Sequence, residues 1–296
     1  MAQRRIETST SRTAEMTCVC RAASFLETDP RYKSGDSTAG RLLPRMLQLA
    51  FHSRVLRKLL LRLLMPAGIY EWVIARTKYI DALVTRCQAD GFKQVLLIGA
   101  GFDTRAIRFQ PELKAMKVYE LDAPTTQRAK VEQYRRRRIA VPANLIFVPV
   151  NFETEKLEDR LREAGFGEGH KTLVIAEGVM QYLTPEAAHA TLQTVHKMVG
   201  RGSRLVFDFA HAEVLEGTGT TFGQVAITRS VGKFGESWQF GLQEGELETL
   251  LARHGYKLVE RKTPHDLEDT YFKDSTGKLV GRVNGTQSIA LAEKEV

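Results

Sequence analysis

Three cysteines are all that the 296 residues contain. Cys18, Cys20 and Cys87 make an odd number and show none of the spacings of a zinc site, so no disulfide framework and no metal centre is expected. They read as free thiols in a reducing cytoplasm. Long hydrophobic runs are missing too, and no window is long and apolar enough to span a bilayer. The N-terminal stretch "MAQRRIETSTSRTAEMTC" has basic residues but no apolar core, so it does not read as a secretory leader. Internal repeats and low-complexity tracts are absent, which excludes solenoids and arrays. What remains is an ordinary globular composition, 43% hydrophobic and 26% charged. A chain of this length can bury a large core as one elaborated domain or two small ones.

The formal net charge is +8, which raises the question of nucleic acid. The positive charge is concentrated in "YRRRRI" (134–139) and in Arg54, Arg57, Lys58 and Arg62. The arginine run is not interleaved with aromatic residues or set in a nucleic-acid-binding motif, so a solvated helix face is expected there and no nucleic-acid partner.

From residue 92 onward, short apolar runs alternate with helical segments. "KQVLLIG" (93–99), "MKVYELD" (116–122), "LIFVPV" (145–150), "TLVIAEG" (172–178) and "SRLVFDF" (203–209) read as strands apolar on both faces. Such strands belong to parallel sheets covered by helices on both sides. The intervening helices are placed at 124–138, 153–164 and 185–199, the last opened by Thr184 as N-cap and Pro185 at the first helical position. A helix at 243–255 ends at Gly255 and is followed by strands at 256–262 and 286–293. This rhythm predicts a doubly wound α/β sheet over residues 92–296.

Residues 1–91 differ and read as a helical N-terminal cover. In "RLLPRMLQLAFHSRVLRKLLLRLLMPAG", Leu56, Leu59, Leu60, Leu63 and Leu64 fall on one helical face, with Arg54, Lys58 and Arg62 on the other. One helix over 42–64, bounded by Pro44 and Pro66, is predicted. It would serve as a packing layer, as a lid over a ligand site, or as a basic amphipathic helix on a membrane surface.

The chemistry is sought at the carboxyl ends of the strands. Gly99 and Gly101, in "VLLIGAGFDTR", let backbone approach a ligand. A dinucleotide fingerprint would have a third glycine, but Thr104 stands in its place, and no pyrophosphate cradle follows. Glu120 and Asp122 end the second strand, where an acid can hold a ribose. Glu177 ends the fourth, where it could pair with an ammonium. These residues alone are compatible with a nicotinamide or an adenosyl cofactor.

The motifs "VLLIGAGFDTRAIRF", "VYELDAPTTQRAKVE", "FVPVNFETEKLEDRLREAGF" and "TLVIAEGVMQYLTPEAA" occur in this order over residues 76–200. Together they resemble the leucine carboxyl methyltransferase-like family of class I S-adenosylmethionine methyltransferases. "SRTAEMTCVCRAASFLETDP" and "YEWVIARTKYID" extend the likeness N-terminally. The resemblance implies a Rossmann-like, mostly parallel seven-stranded sheet and S-adenosylmethionine as cofactor. It further implies that Gly99 and Gly101 lie against the cofactor's amino-acid moiety and that Asp122, or else Glu120, holds the ribose. Glu177 would meet the amino end, with Arg76 and, through a looser match, Arg21 at the carboxylate. Asn151 and Phe152 stand where the family usually has Asp-Leu against adenine. Asparagine can still accept through its carbonyl oxygen, but without charge.

The reaction expected is O-methylation of a hydroxyl or carboxyl of a small molecule, such as a natural product. Methylation of a protein C-terminal carboxyl is the alternative, and a nicotinamide-dependent oxidoreductase a more distant one. An alcohol acceptor needs a base, for which His211 is the first candidate, with Tyr182 and Asp208 behind it. "GKFGESWQFGL" (232–242), with Trp238 and Phe240, is read either as an apolar substrate wall or as packing.

Overall fold

In the computed structural model, which describes residues 10–152, 154–234 and 237–295, five helices precede the sheet. They are α1 (Arg12–Phe25), α2 (Ala39–Leu42), α3 (Arg45–His52), α4 (Arg54–Leu64) and α5 (Ile69–Thr85). The sheet region then runs β1 (Gln94–Ile98), α6 (Arg105–Arg108), α7 (Gln110–Leu113), β2 (Lys117–Asp122), α8 (Pro124–Arg136), β3 (Leu145–Pro149), α9 (Leu157–Glu163) and β4 (Thr172–Ala176). It continues with α10 (Pro185–Met198), β5 (Arg204–His211), α11 (Ala212–Glu216), α12 (Gln224–Phe234), β6 (Gly241–Leu242), α13 (Glu246–Arg253), β7 (Tyr256–Lys262), α14 (Pro264–Tyr271) and β8 (Gln287–Lys294).

The strand order is β3-β2-β1-β4-β5-β8-β7, and the two-residue β6 pairs with the end of β5. β1 to β5 are parallel, while β8 runs antiparallel to both β5 and β7. The expected α/β sheet is therefore present, with β6 as an eighth strand that two residues give no period to detect.

The strands alternate between two cores. Leu96, Ile98, Tyr119, Leu121, Val174, Ala176, Leu205 and Phe207 pack with residues of α9, α10 and α13. Val95, Leu97, Val118, Leu173, Ile175 and Val206 pack with Trp72, Val73, Ile80 and Val84 of α5. The period of two along each strand requires this division. It also means that α5 belongs to the sheet core, so the expected boundary at 91–92 runs through a shared hydrophobic cluster.

The predicted single helix at 42–64 is broken. Ser53 ends α3 and, with extended backbone, caps α4 by accepting from the Leu56 N–H at 3.3 Å. The inward side of α4 is not its leucine face. Arg57 and Leu61 are buried, whereas Leu56, Leu59, Leu63 and Leu64 are exposed.

Candidate functional site

Strand order turns between β1 and β4, because the chain leaves β1 toward β2 on one side and later returns to β4 on the other. Loops diverge there and leave a crevice at the carboxyl ends of the strands. A cavity of about 680 Å³ occupies it, within the range of small-molecule sites. Gly99 and Gly101 form its floor with φ of 63° and 50°, a region that favours glycine. Space restricts both positions as well. A Cβ on Gly99 would overlap the Val179 side chain, and one on Gly101 would sit 3.0 Å from the Ala14 Cβ.

Strand parity sets the acidic groups. Val118 faces the α5 side of the sheet, so Glu120 and Asp122 do too. Asp122 lines the cavity, and its carboxylate accepts the N–H groups of Gly101 and Ala123. Burial outweighs these donors and raises its pKa to about 6. Glu120 lies one pleat deeper and does not line the cavity. It is paired with Lys130 of α8 at 2.6 Å, both side chains being buried. Of the two acids offered for one role, the structure leaves Asp122 at the cavity and gives Glu120 a partner below it.

The same parity brings Glu177 and Asp208 to α5, since Ile175 and Val206 face that helix. Arg76 of α5 donates to Asp208 at 2.7 Å, and its Nε lies 3.0 Å from Glu177. Asp208 also accepts the Gly178 N–H at 2.6 Å, so its role here is to hold the turn after β4 and Arg76. Arg21 of α1 donates to Asp36 at 2.9 Å and to the Phe102 carbonyl at 2.7 Å, at the edge of the glycine turn. Arg21, Arg76 and Glu177 all line the cavity. Burial alone would raise the Glu177 pKa, but Arg105, Arg76 and Arg21 overcome it and bring it down to about 2.

Arg105 is a further charged residue behind the cavity that the motifs do not single out. It sits at the start of α6 and pairs with Asp81 at 2.8 Å, with Glu177 at 2.6 Å, and with Asp103. Arg108 adds a pair to Asp81 at 2.6 Å. The signal lay within the opening motif "GFDTR", but an arginine two residues past a ligand-binding turn has no partner until the fold supplies one. Ser11, Thr13 and Thr17 from α1 and its N-cap also line the cavity, as does Arg128 of α8.

Asn151 and Phe152 reach the cavity after β3. The Asn151 N–H is taken by Glu155 at 2.7 Å. Tyr182 lines the cavity as well, and its hydroxyl lies 3.2 Å from the Thr13 hydroxyl. His211 is placed elsewhere. It follows the parity of Phe207 and Phe209, toward the opposite core, and its Nε2 lies 2.9 Å from the Ser288 hydroxyl on β8. It is not among the residues that line the cavity, so the geometry gives no support to its expected role as base. Burial and Arg261 lower its pKa.

The wall expected from Trp238 and Phe240 is also different. Ser237 and Gln239 face the cavity, while Trp238 and Phe240 pack into the two cores. Residues 232–236 of that stretch lie outside the described side chains. None of residues 42–64 lines the cavity; the helical wall there is α1.

Residues 14–196 match the family model for leucine carboxyl methyltransferase. A relative from Bacillus subtilis (strain 168), YktD, is 29% identical over 72% of this chain and 73% of its own length. Its name places it provisionally among S-adenosyl-L-methionine-dependent methyltransferases. A Frankia alni protein with a name of the same kind, FRAAL3718, is 32% identical over 49% of this chain and half of its own length. Among solved structures, magnesium protoporphyrin IX methyltransferase (ChlM) from Synechocystis PCC 6803, with bound SAH, covers 76% of this chain and 86% of its own at 16% identity and a TM-score of 0.46.

Proposed function

The chain belongs to the leucine carboxyl methyltransferase family, and from this footing we propose that it methylates a carboxylate oxygen of a small organic acid. It is an S-adenosylmethionine-dependent methyltransferase.

The residues present fit that cofactor. Arg21, Arg76, Asp103 and Glu177 gather both signs of charge at one end of the cavity, as a zwitterionic amino-acid end requires. Asp122 stands at the end of β2, on the far side of β1 from β4. Two strand spacings, about 10 Å, separate those ends. A carboxylate there suits a ribose diol. Val150, Phe152 and Val179 supply apolar wall for a base. When bound, S-adenosylmethionine supplies a methyl carbon made electrophilic by its sulfonium.

One observation favours a carboxylate acceptor. Among the described residues lining the cavity there is no histidine, lysine or cysteine. The three carboxylates that line it are already engaged: Asp103 and Glu177 by Arg105, and Asp122 by two backbone N–H groups. An alcohol must lose a proton as it attacks, and such a site offers no ready acceptor for it. A carboxylate is ionised at neutral pH, so its oxygen attacks with no proton to move. The tasks left to the protein are alignment and exclusion of water. Tyr182 and Thr13 hold the acceptor in this reading, and Arg128, exposed at the rim, draws in its charge.

The test is methyl transfer from labelled cofactor to a panel of carboxylic acids, matched alcohols and phenols, and peptides with free C-termini. Label lost as methanol in mild base, with small acids as substrates, is the expected result. Base-stable label on hydroxyls would overturn the carboxylate reading. Base-labile label confined to peptides would move the acceptor to a protein C-terminus.

A further inference from the structure

We propose that α3 and α4 form a docking surface for an anionic lipid bilayer. The first observation is the direction of their apolar side chains. Met46 is 79% exposed, Leu49 69%, Val55 79% and Leu63 72%. Leu56, Leu59 and Leu64 are exposed beside them. Val55, Leu59 and Leu63, spaced by four, make one outward stripe along α4. Adjacent large apolar side chains in such number are unusual on a surface that meets only water.

The inward orientation is fixed by Arg57. Its guanidinium donates to the Phe51 carbonyl at 2.7 Å and the Leu26 carbonyl at 3.3 Å, and pairs with Glu27 at 3.2 Å. Phe51 lies in the last turn of α3, and Leu26 caps α1. A buried cation is thus spent on two helix C-termini, where carbonyls lack partners. With Arg57 and Leu61 turned inward, the leucine stripe has to face out.

The second observation is charge. Arg54, Lys58 and Arg62 form an exposed row beside the stripe, and Arg41 and Arg45 are exposed nearby. No aspartate or glutamate occurs between Asp36 and Glu71. The arginine run at the end of α8 joins the patch. Arg41 donates to the Arg137 carbonyl at 3.1 Å, and Arg137 donates to the Leu43 carbonyl at 2.9 Å. Arg135, Arg136 and Arg138 are exposed there, the first two paired with Glu132.

Apolar side chains flanked by an excess of cations fit a bilayer with acidic headgroups. The leucines enter the acyl boundary, while Arg and Lys stay at headgroup level. A second copy fits less well, because it would oppose one cationic row with another. A lid fits less well, because neither helix borders the cavity.

Flotation of the full chain with lipid vesicles tests this. Binding is expected to phosphatidylcholine vesicles containing phosphatidylglycerol, not to phosphatidylcholine alone, and to weaken as salt rises. Arg54→Gln/Lys58→Gln/Arg62→Gln should reduce binding on the order of a hundredfold, and Val55→Ser/Leu59→Ser/Leu63→Ser by at least as much. All six side chains are exposed, so unchanged unfolding midpoints and cofactor affinity are expected and exclude misfolding as the cause. Hydrogen exchange should slow in α3 and α4 when anionic vesicles are added. Failure to float with anionic vesicles, or flotation of both triple variants equal to that of the parent, overturns the proposal. So does a dimer in sedimentation that the serine variant dissociates, or retention on RNA without retention on anionic lipid.

Discussion

The Nη1 of Arg105 donates to the Oε2 of Glu177 across 2.6 Å. This bond ties the start of α6 to the end of β4, on either side of the glycine turn. Arg105 does not line the cavity, yet Asp81, Asp103 and Glu177 share its charge. Arg105→Met leaves these acids short of a cation in a buried setting, and stability should fall by about 3–5 kcal/mol. Arg105→Lys should fall between, because it restores charge without the planar fork. Urea unfolding measures both. A methionine variant as stable as the parent would show that the cluster does not depend on this cation.

Asp122 predicts how cofactor affinity varies with pH. Burial raises its pKa to about 6, and hydroxyl donors bind its ionised form. Binding therefore selects the carboxylate. Affinity should be level above about pH 7 and fall toward tenfold per unit below pH 6. Asp122→Asn should bind more weakly and lose this slope. Calorimetry across pH 5–8 tests both, and a slope that survives the substitution would place the titrating group elsewhere.

Glu120 should behave differently. Its carboxyl, raised to about 7 by burial against the opposing pull of Lys130, does not reach the cavity. Glu120→Gln should change thermal stability and leave S-adenosylhomocysteine affinity within about twofold. An affinity loss as large as that of Asp122→Ala, about 1–3 kcal/mol, would restore it as the ribose holder.

Gly99 is constrained by conformation and by space. Gly99→Ala puts a methyl into the Val179 side chain at a φ of 63°, and should lower stability by roughly 1–3 kcal/mol. Adding Val179→Ala should return part of that loss by removing the overlap, leaving the backbone strain. Denaturant midpoints of the single and double variants decide it. No recovery in the double variant would show that the overlap is unimportant.

His211→Ala should retain turnover within a few fold, and the rate should not follow a histidine titration between pH 6 and 8. The lost bond to Ser288 should lower stability by about 0.5–1.5 kcal/mol. A hundredfold loss of turnover, partly restored by added imidazole, would return His211 to the reaction and favour an alcohol acceptor.

Much of the fold was legible because buried strands announce themselves as short Val, Ile and Leu runs, and those of β1 to β5 are placed within two residues of their ends. The placement of Gly99, Asp122 and Glu177 at the cavity was legible for the same reason. His211 turns away from the cavity because, by strand parity, Asp208 and His211 leave β5 on opposite faces. The same rule separates Ser237 and Gln239 from Trp238 and Phe240. The direction of α4 was not legible. Its leucine stripe marks a helix face by period, but period does not say whether that face turns inward. Arg57 decides that through carbonyls of α1 and α3, which only the tertiary fold brings near. Arg105 stayed hidden because its three acids come from α5, the glycine loop and β4.

The cavity joins early and late chain. Thr13 and Tyr182, 169 residues apart in sequence, meet at 3.2 Å, and Arg21 enters the same wall as Glu177. During synthesis α1 leaves the ribosome well before the strand end it must face. Until β4 has emerged, the cationic Arg21 and the polar face of α1 have no pocket to complete. Loop closure over such a span delays folding, and nascent chains wait with that surface uncovered. Cofactor binding is therefore a property of the finished chain, and a polypeptide stalled before residue 177 would be made without the means to hold it.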